Sequence, residues 1–272
     1  MIKDIINSIA QISFYRDVPE KSMGRTVGHI AVLALIYGLV STIAVFVHLK
    51  PKIAENVEWL ATNVPTLTLN NGRLKSVEPG RQMIEHPKIE GFVVVIDTDR
   101  ESPVTSAEMQ KEGFAVYLTA KAIYVFNPAN NNFRAQELAQ AKEVQNYDIG
   151  PEFYRNFAKA FTFALYPTAL VLCAAWFFLF KLLAALVYSI VALMVNAAMD
   201  GGLEFPALYK ISVYAMTPVI ALQMVARLAK GPFLVMEPIP MFRLLAFILV
   251  GVYVWQAIRH IKPPAPEAPP AV

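Results

Sequence analysis

The sequence predicts an α-helical integral membrane protein with about four transmembrane helices. A small α+β extracytoplasmic domain is inserted between the first and second spans. Three observations predict this. Of the 272 residues, 56% are hydrophobic and 17% are charged, against about 45–50% and about 25% in an average soluble domain. The mean hydropathy is +0.44, and stretches such as 30–49 run about 20 residues without Asp, Glu, Lys or Arg, enough to cross a bilayer. Between residues 50 and 155 the texture changes, and that stretch holds most of the charge. The balance excludes a disordered chain, a basic nucleic-acid-binding domain and an ordinary cytosolic enzyme. A net charge of +3 is too small to imply an anionic partner.

Residues 1–28 form the first segment. Ile2, Ile5, Ile6, Ile9 and Ile12 fall roughly on one helical face. Two readings stand: an amphipathic helix lying on the membrane surface, or a short helix packed on protein. Polar residues interrupt any continuous apolar core, so no cleavable signal peptide is expected. The first transmembrane helix is 29–49, with Ile30 to Leu49 as its apolar run.

The domain 50–155 alternates apolar stretches with turn signals. Thr66 to Leu69, then Asn70-Asn71-Gly72, then Arg73 to Lys75 reads as a hairpin, because Asn-Gly suits a type I′ turn. Gly91 to Asp97 reads as a buried strand, and Gly113–Leu118 and Ala122–Phe126 as two more. Pro51–Asn63 and Phe133–Gln145 read as helices, the second on the spacing of Leu138, Ala141 and Val144. No βαβ repeat is legible.

The bundle 156–261 holds three further spans, about 157–199, 208–228 and 242–258. The first has no turn residue near Lys181, so one long tilted helix is preferred, with Pro167 as a kink position. Asp200-Gly201-Gly202 ends it, since Gly supports a left-handed cap. Residues 262–272 form a Pro-rich tail, expected to be extended. Four spans put both termini on one side. With the termini inside, seven Lys and Arg fall on inner segments and three on the short outer loop, which favours an inner position for the termini. Lys50, Lys52, Arg155 and Lys159 beside the domain argue the other way.

Phe14-Tyr15-Arg16 before the first span, Pro65 to Leu74 (P-x-L-x-L-x-N-G-x-L), Val93 to Thr98 (VVVIDT) and Val213 to Pro218 (VYAMTP) together resemble the bacterial family of domain of unknown function 1189. The last third also resembles the Yip-type membrane fold, through Gly201-Gly202, Tyr214-Ala215 and Pro218. The resemblance implies a membrane protein with an extracytoplasmic domain and supplies no catalytic residues.

The candidate functional or structural residues are Lys181, Asp200, Gly201, Gly202, Tyr214, Thr217 and Pro218. A charge within a span is a functional candidate by default, which singles out Lys181. Asp200 and Glu204 lie at a loop and read as solvated. Pro218 frees the carbonyl of Tyr214, which makes either a kink that lines a site or a packing kink. Asp97-Thr98-Asp99 is similar to a phosphotransferase Asp-x-Asp loop, but a strand end and turn is the preferred reading. His29, His48, His86 and His260 have no ligand spacing and read as surface or interfacial. Cys173 stands alone, so no intrachain disulfide or thiolate metal site is expected. Neither a catalytic constellation nor a metal or cofactor site is legible.

The expected function is a non-enzymatic accessory or scaffold protein whose outer domain contacts a partner or envelope ligand within a membrane complex. The alternatives are a component of a membrane transporter, as a small-molecule permease or its regulatory subunit, and a ligand sensor. The expected partners are the lipid bilayer and a membrane-protein partner or a second copy of the chain, with no nucleic acid. The expected location is the bacterial cytoplasmic membrane, multi-pass, with cytoplasmic termini.

Overall fold

A computed structural model describes residues 1–141, 146–230 and 240–261. The Pro-rich tail 262–272 lies outside the described residues, as does 142–145. The chain is mostly helical, with a small β region between residues 67 and 149. It divides into two units, one of Met1–Lys50 with Phe163–Val272 and one of Pro51–Thr162.

In the first unit, α1 (Ile2–Ala10) leads through a 3-10 turn (Ile12–Asp17) to α2 (Met23–Asn63), which enters the second unit at Pro51. Four helices are long and apolar enough to cross a membrane among the described residues. They are α2, α4 (Pro151–Ala198), the pair α5 (Phe205–Ala215) and α6 (Thr217–Lys230) taken together, and α7 (Pro240–Ile261). The α2 helix continues through Pro51 instead of restarting there, so the expected separate helix 51–63 is its last third. The α4 helix runs unbroken through Pro167. It ends at Asp200, Gly201 and Gly202, with Asp200 at φ 49° and Gly202 at φ 66°.

The core of this unit is built from Ile30 and Leu33 of α2, Ala185 and Ala192 of α4, Leu208 and Ile211 of α5, Ile220 of α6 and Ala257 and Ile258 of α7. The α2 and α4 backbones approach closely at Gly38. A Cβ there would stand 2.9 Å from the Leu170 carbonyl oxygen. Small residues permit such crossings between apolar helices.

The second unit holds two sheets. The hairpin β1 (Leu67–Asn70) and β2 (Arg73–Ser76) turns at Asn71 and Gly72, with φ of 51° and 74°, as a type I′ turn requires. With β8 (Tyr147–Ile149) it makes a three-stranded antiparallel sheet in the order β2-β1-β8. The larger sheet has the order β3-β4-β5-β6-β7. Its strands are β3 (Gln82–Glu85), β4 (Val93–Asp97), β5 (Val116–Thr119), β6 (Ala122–Asn127) and β7 (Asn132–Glu137).

Among the described residues only β4 and β5 pair in parallel, joined by α3 (Ser106–Glu112). So the domain contains one βαβ unit, and the sequence showed no βαβ repeat. Thr105 caps α3 by accepting from the Glu108 amide, and Gly113 closes it at φ 74°. Both faces of β4 are covered. Val95 packs in a cluster with Met109 and Tyr117, and Val94 and Ile96 pack in another with Leu67 and Leu74. That is why the strand reads as one apolar run.

The helix expected over Phe133–Gln145 is corrected. Residues 132–137 are β7, followed by a 3-10 turn at Leu138–Ala141. Cross-strand pairing decides it: Phe133 stands opposite Phe126, and its ring stacks on Tyr124 at 6.1 Å.

Candidate functional site

The α2 helix carries Thr26, His29, Tyr37, Ser41 and His48 at intervals of three, eight, four and seven, which places them along one face. Thr26, His29 and Ser41 are fully buried. This stripe faces α6. His29 Nε2 and Thr217 Oγ1 share a 3.0 Å hydrogen bond. Arg227 donates to the Tyr37 hydroxyl, and His48 Nε2 lies 3.0 Å from the Leu228 carbonyl oxygen.

Lys181 joins the seam from α4. Phe177, Lys181, Ala185, Ser189, Ala192 and Asn196 recur at three or four residues, and all but Lys181 are buried. Lys181 therefore faces the bundle. Its ammonium donates to Gln223 Oε1 at 3.1 Å and lies 5.2 Å from the Phe177 ring centre. Phe177 in turn stacks on Tyr37 at 4.1 Å. Gln223 is 7% exposed.

The depth of Lys181 follows from the ring pairs. Tyr37 meets Phe177 and Phe46 meets Tyr166, so α2 and α4 run antiparallel. That register sets Lys181 opposite about residue 33, roughly 12 Å in from Arg25 at 1.5 Å per residue. No acid stands between Arg25 and Lys50, between Glu152 and Asp200, or from 205 to 229. The cation is matched by an amide oxygen, not a carboxylate.

The other candidates divide between a cap and a packing cluster. Asp200 is exposed, as is Glu204. Asn196 brackets the turn: its Nδ2 donates to the Leu203 carbonyl at 3.1 Å and its Oδ1 accepts from the Leu203 amide at 3.3 Å. Gly201 is held against this bracket, where a Cβ would stand 2.3 Å from Asn196 Oδ1 and 3.1 Å from Ile258 Cγ2. Tyr214 is fully buried, with its ring 4.3 Å from His29 and 5.4 Å from Phe14. Pro218 is the second residue of α6, just past the break at Met216, where its missing amide is tolerated. The structure thus brings together Tyr214, Thr217 and His29, and separately Lys181 with Gln223. Gly201 and Gly202 belong to the α4 cap.

Two of the histidines expected at the surface or an interface are buried. His29 is 0% and His86 7% exposed. The His86 Nδ1 accepts from the Lys88 and Ile89 amides, both at 3.1 Å, which makes it a turn-forming residue.

Asp4 was also missed. It is 6% exposed and takes Arg25 Nη2 at 2.9 Å and Lys21 Nζ at 3.2 Å. Burial pushes its carboxyl up, and the hydrogen bonds from Arg25 and Lys21 more than offset this, so the group lies below its ordinary value. Its partners lie 21 and 17 residues away, beyond any local sequence signal.

In the second unit, Asp97 accepts from the Tyr117 hydroxyl at 3.0 Å, and Thr98 Oγ1 accepts from the Ser76 amide at 3.3 Å. Arg100 is held by both Glu108 oxygens, one at 2.9 Å, and by the Pro103 carbonyl. These groups tie the loop after β4. Beside it lies an open cleft of about 400 Å³, lined by Arg73, Glu101, Lys121, Tyr124 and Glu137 among others. Glu101 bridges Arg73 at 3.4 Å and Lys121. The Lys121 hydrogen bond holds the Glu101 carboxyl below the usual range. The cleft lies outside the carboxyl ends of the parallel strands β4 and β5, a common ligand position in α/β sheets.

No group of His, Cys, Asp and Glu among the described residues is arranged to hold a metal ion. No curated protein and no solved structure matches the chain. The family described as protein of unknown function (DUF1189) matches residues 2–258. That match takes in α2, α4, α5 and α6, most of α7, the β region and the seam around Lys181, and the chain belongs to the DUF1189 family.

Proposed function

We propose that this protein is a non-enzymatic accessory subunit of the bacterial cytoplasmic membrane. In this reading the termini are cytoplasmic and the β unit is an extracytoplasmic domain inserted between the first two spans. The observation that carries it is the bareness of α4. Only 11% of its most apolar window is buried inside the chain, against 61% for α5 with α6. Val171, Leu172, Trp176, Leu179, Phe180 and Leu183 are all more than half exposed. Such a span takes its lateral contacts from lipid or from another membrane protein, and the accessory reading assigns part of that surface to a partner. The outer cleft at Arg73, Glu101 and Lys121 is the surface for an envelope ligand. The likeness to the Yip-type fold belongs to the same reading.

The test is crosslinking in native membranes, followed by purification in mild detergent. A partner of defined stoichiometry supports the reading. A lone monomer with no crosslinked neighbour overturns it.

Lys181 favours a second reading, a component of a transporter. A cation about 12 Å along the bundle from the level of Arg25, hydrogen-bonded to an amide oxygen and not to a carboxylate, suits transient pairing with an anion. Vesicles holding the purified protein would then show anion flux that Lys181→Met abolishes. Equal flux in both, or none in either, removes this reading.

A further inference from the structure

The amphipathic character of α1 is distributed in an unusual way. Its nine residues carry Asp4 and Ser8 on the side turned to the protein, 6% and 0% exposed. Ile5 packs beside them against the helical core. Ile2, Ile6 and Ile9 face outward, 70%, 59% and 37% exposed. Lys3 is exposed and Asn7 is partly so. At 100° per residue these form three arcs: Asp4, Ser8 and Ile5, then Ile9, Ile2 and Ile6, then Lys3 and Asn7. The first arc, polar but for Ile5, is packed on protein, the second is apolar and bare, and the third is polar with Lys3 bare and Asn7 partly so. A helix resting on a soluble core would put its isoleucines inward.

The attachment is specific. Asp4 is bound to Arg25 and Lys21. The Tyr15 hydroxyl donates to the Ser8 carbonyl at 2.9 Å. The Tyr253 hydroxyl of α7 donates to the Ile9 carbonyl at 3.0 Å. This last bond fixes the level of α1. Near Tyr253, α7 carries Trp255, 42% exposed, with the Arg259 guanidinium 5.5 Å from its ring centre. Tyr and Trp followed by a cation at the end of an apolar span mark the membrane–water interface.

We propose that α1 lies in that interface, with Ile2, Ile6 and Ile9 in lipid, Lys3 and Asn7 toward water, and Asp4 and Ser8 locked to the protein. The partner is the bilayer surface itself. An ordinary interfacial helix turns its polar face to water and is free to leave. Here the buried arc holds the helix at one depth.

Cys173 is the only cysteine, which makes the test direct. In the full chain carrying Cys173→Ala, a single cysteine is placed at residue 3, 6 or 9 and labelled with an environment-sensitive fluorophore. Each protein is reconstituted in phosphatidylcholine vesicles, with quenching by doxyl-labelled lipid or by aqueous iodide. Gel filtration before reconstitution confirms that each variant is folded. Labels at 6 and 9 should be quenched several-fold more by doxyl lipid than by iodide, and the label at 3 the reverse. Quenching of residue 6 by iodide as strong as that of residue 3 overturns the proposal. So does shielding of residues 6 and 9 from both quenchers, which would assign the isoleucine arc to a second protein.

Discussion

Asp4→Ala removes a carboxylate from between two cations, and its cost can be worked from their exposure. The Lys21 side chain is 10% and the Arg25 side chain 51% exposed. Stripping one partner from a fully buried pair costs about 3–5 kcal/mol, because the other charge stays buried. Arg25 can rehydrate, so its share is near that of a surface pair, about 0–1 kcal/mol. Lys21 cannot, but its ammonium keeps the Phe14 ring 4.0 Å away, worth about 0.5–2 kcal/mol. The net is a loss of about 2–3 kcal/mol in docking of the segment before α2. That corresponds to roughly a 30- to 150-fold rise in local opening.

Hydrogen exchange of amides 5–21 in lipid discs reads this opening directly. The reasoning places the cost in stranded Lys21, so Asp4→Ala with Lys21→Met should exchange more slowly than Asp4→Ala alone. Unchanged exchange in Asp4→Ala, or strictly additive effects in the double variant, would refute it. The pH dependence has a fixed sign. The Asp4 carboxyl is lowered in the folded state, so its contribution is complete above the unfolded value of about 3.9. It is lost as the pH falls from there through the folded value.

Three further outcomes are expected. Thr217→Val removes the hydroxyl that His29 Nε2 meets at 3.0 Å, and should lower stability by about 1–3 kcal/mol, read as detergent-phase thermal unfolding. Gly201→Ala drives a Cβ onto Asn196 Oδ1. Breaking that bracket should cost about 1–3 kcal/mol, whereas Gly202→Asn, at φ 66°, should be mild by the same assay. Arg100→Lys loses the two-oxygen grip on Glu108. It should loosen the loop after β4 by about 1–2 kcal/mol, seen as faster exchange of amides 98–105.

The helical part was legible because lipid imposes a coarse rule: about 20 apolar residues make a span. The Asn71-Gly72 hairpin and the β4 strand were legible for equally local reasons, a turn chemistry and an apolar run. The β7 strand was not. Leu138 and Ala141 suggest a helical period, while the strand is made by pairing with β6 at Phe126 and Tyr124, a tertiary contact that overrides local spacing. The short α3 was hidden too, although its Thr105-to-Glu108 cap is a readable signal. In the site, Lys181, Tyr214 and Thr217 stood out as charge or polarity in apolar surroundings. Their partners Gln223 and His29 did not, because a lone amide or imidazole in a span carries no periodic mark of its own.

The contacts that seat α1 also imply an order of assembly. The Ile9 carbonyl is met by Tyr253, 244 residues later, and the Pro19 carbonyl by Lys210, 191 residues later. Segments made first by the ribosome therefore wait for segments made last. While the chain is being synthesised, α1 has Lys21 and Arg25 for Asp4 and Tyr15 for the Ser8 carbonyl, but not yet Tyr253 for the Ile9 carbonyl. Its isoleucines can hold it at the membrane surface during that interval, and insertion of the final span closes the structure over it. A chain cut short before residue 253 would keep the salt bridge and lose the closure, so the integrity of the last helix is reported at the opposite end of the protein.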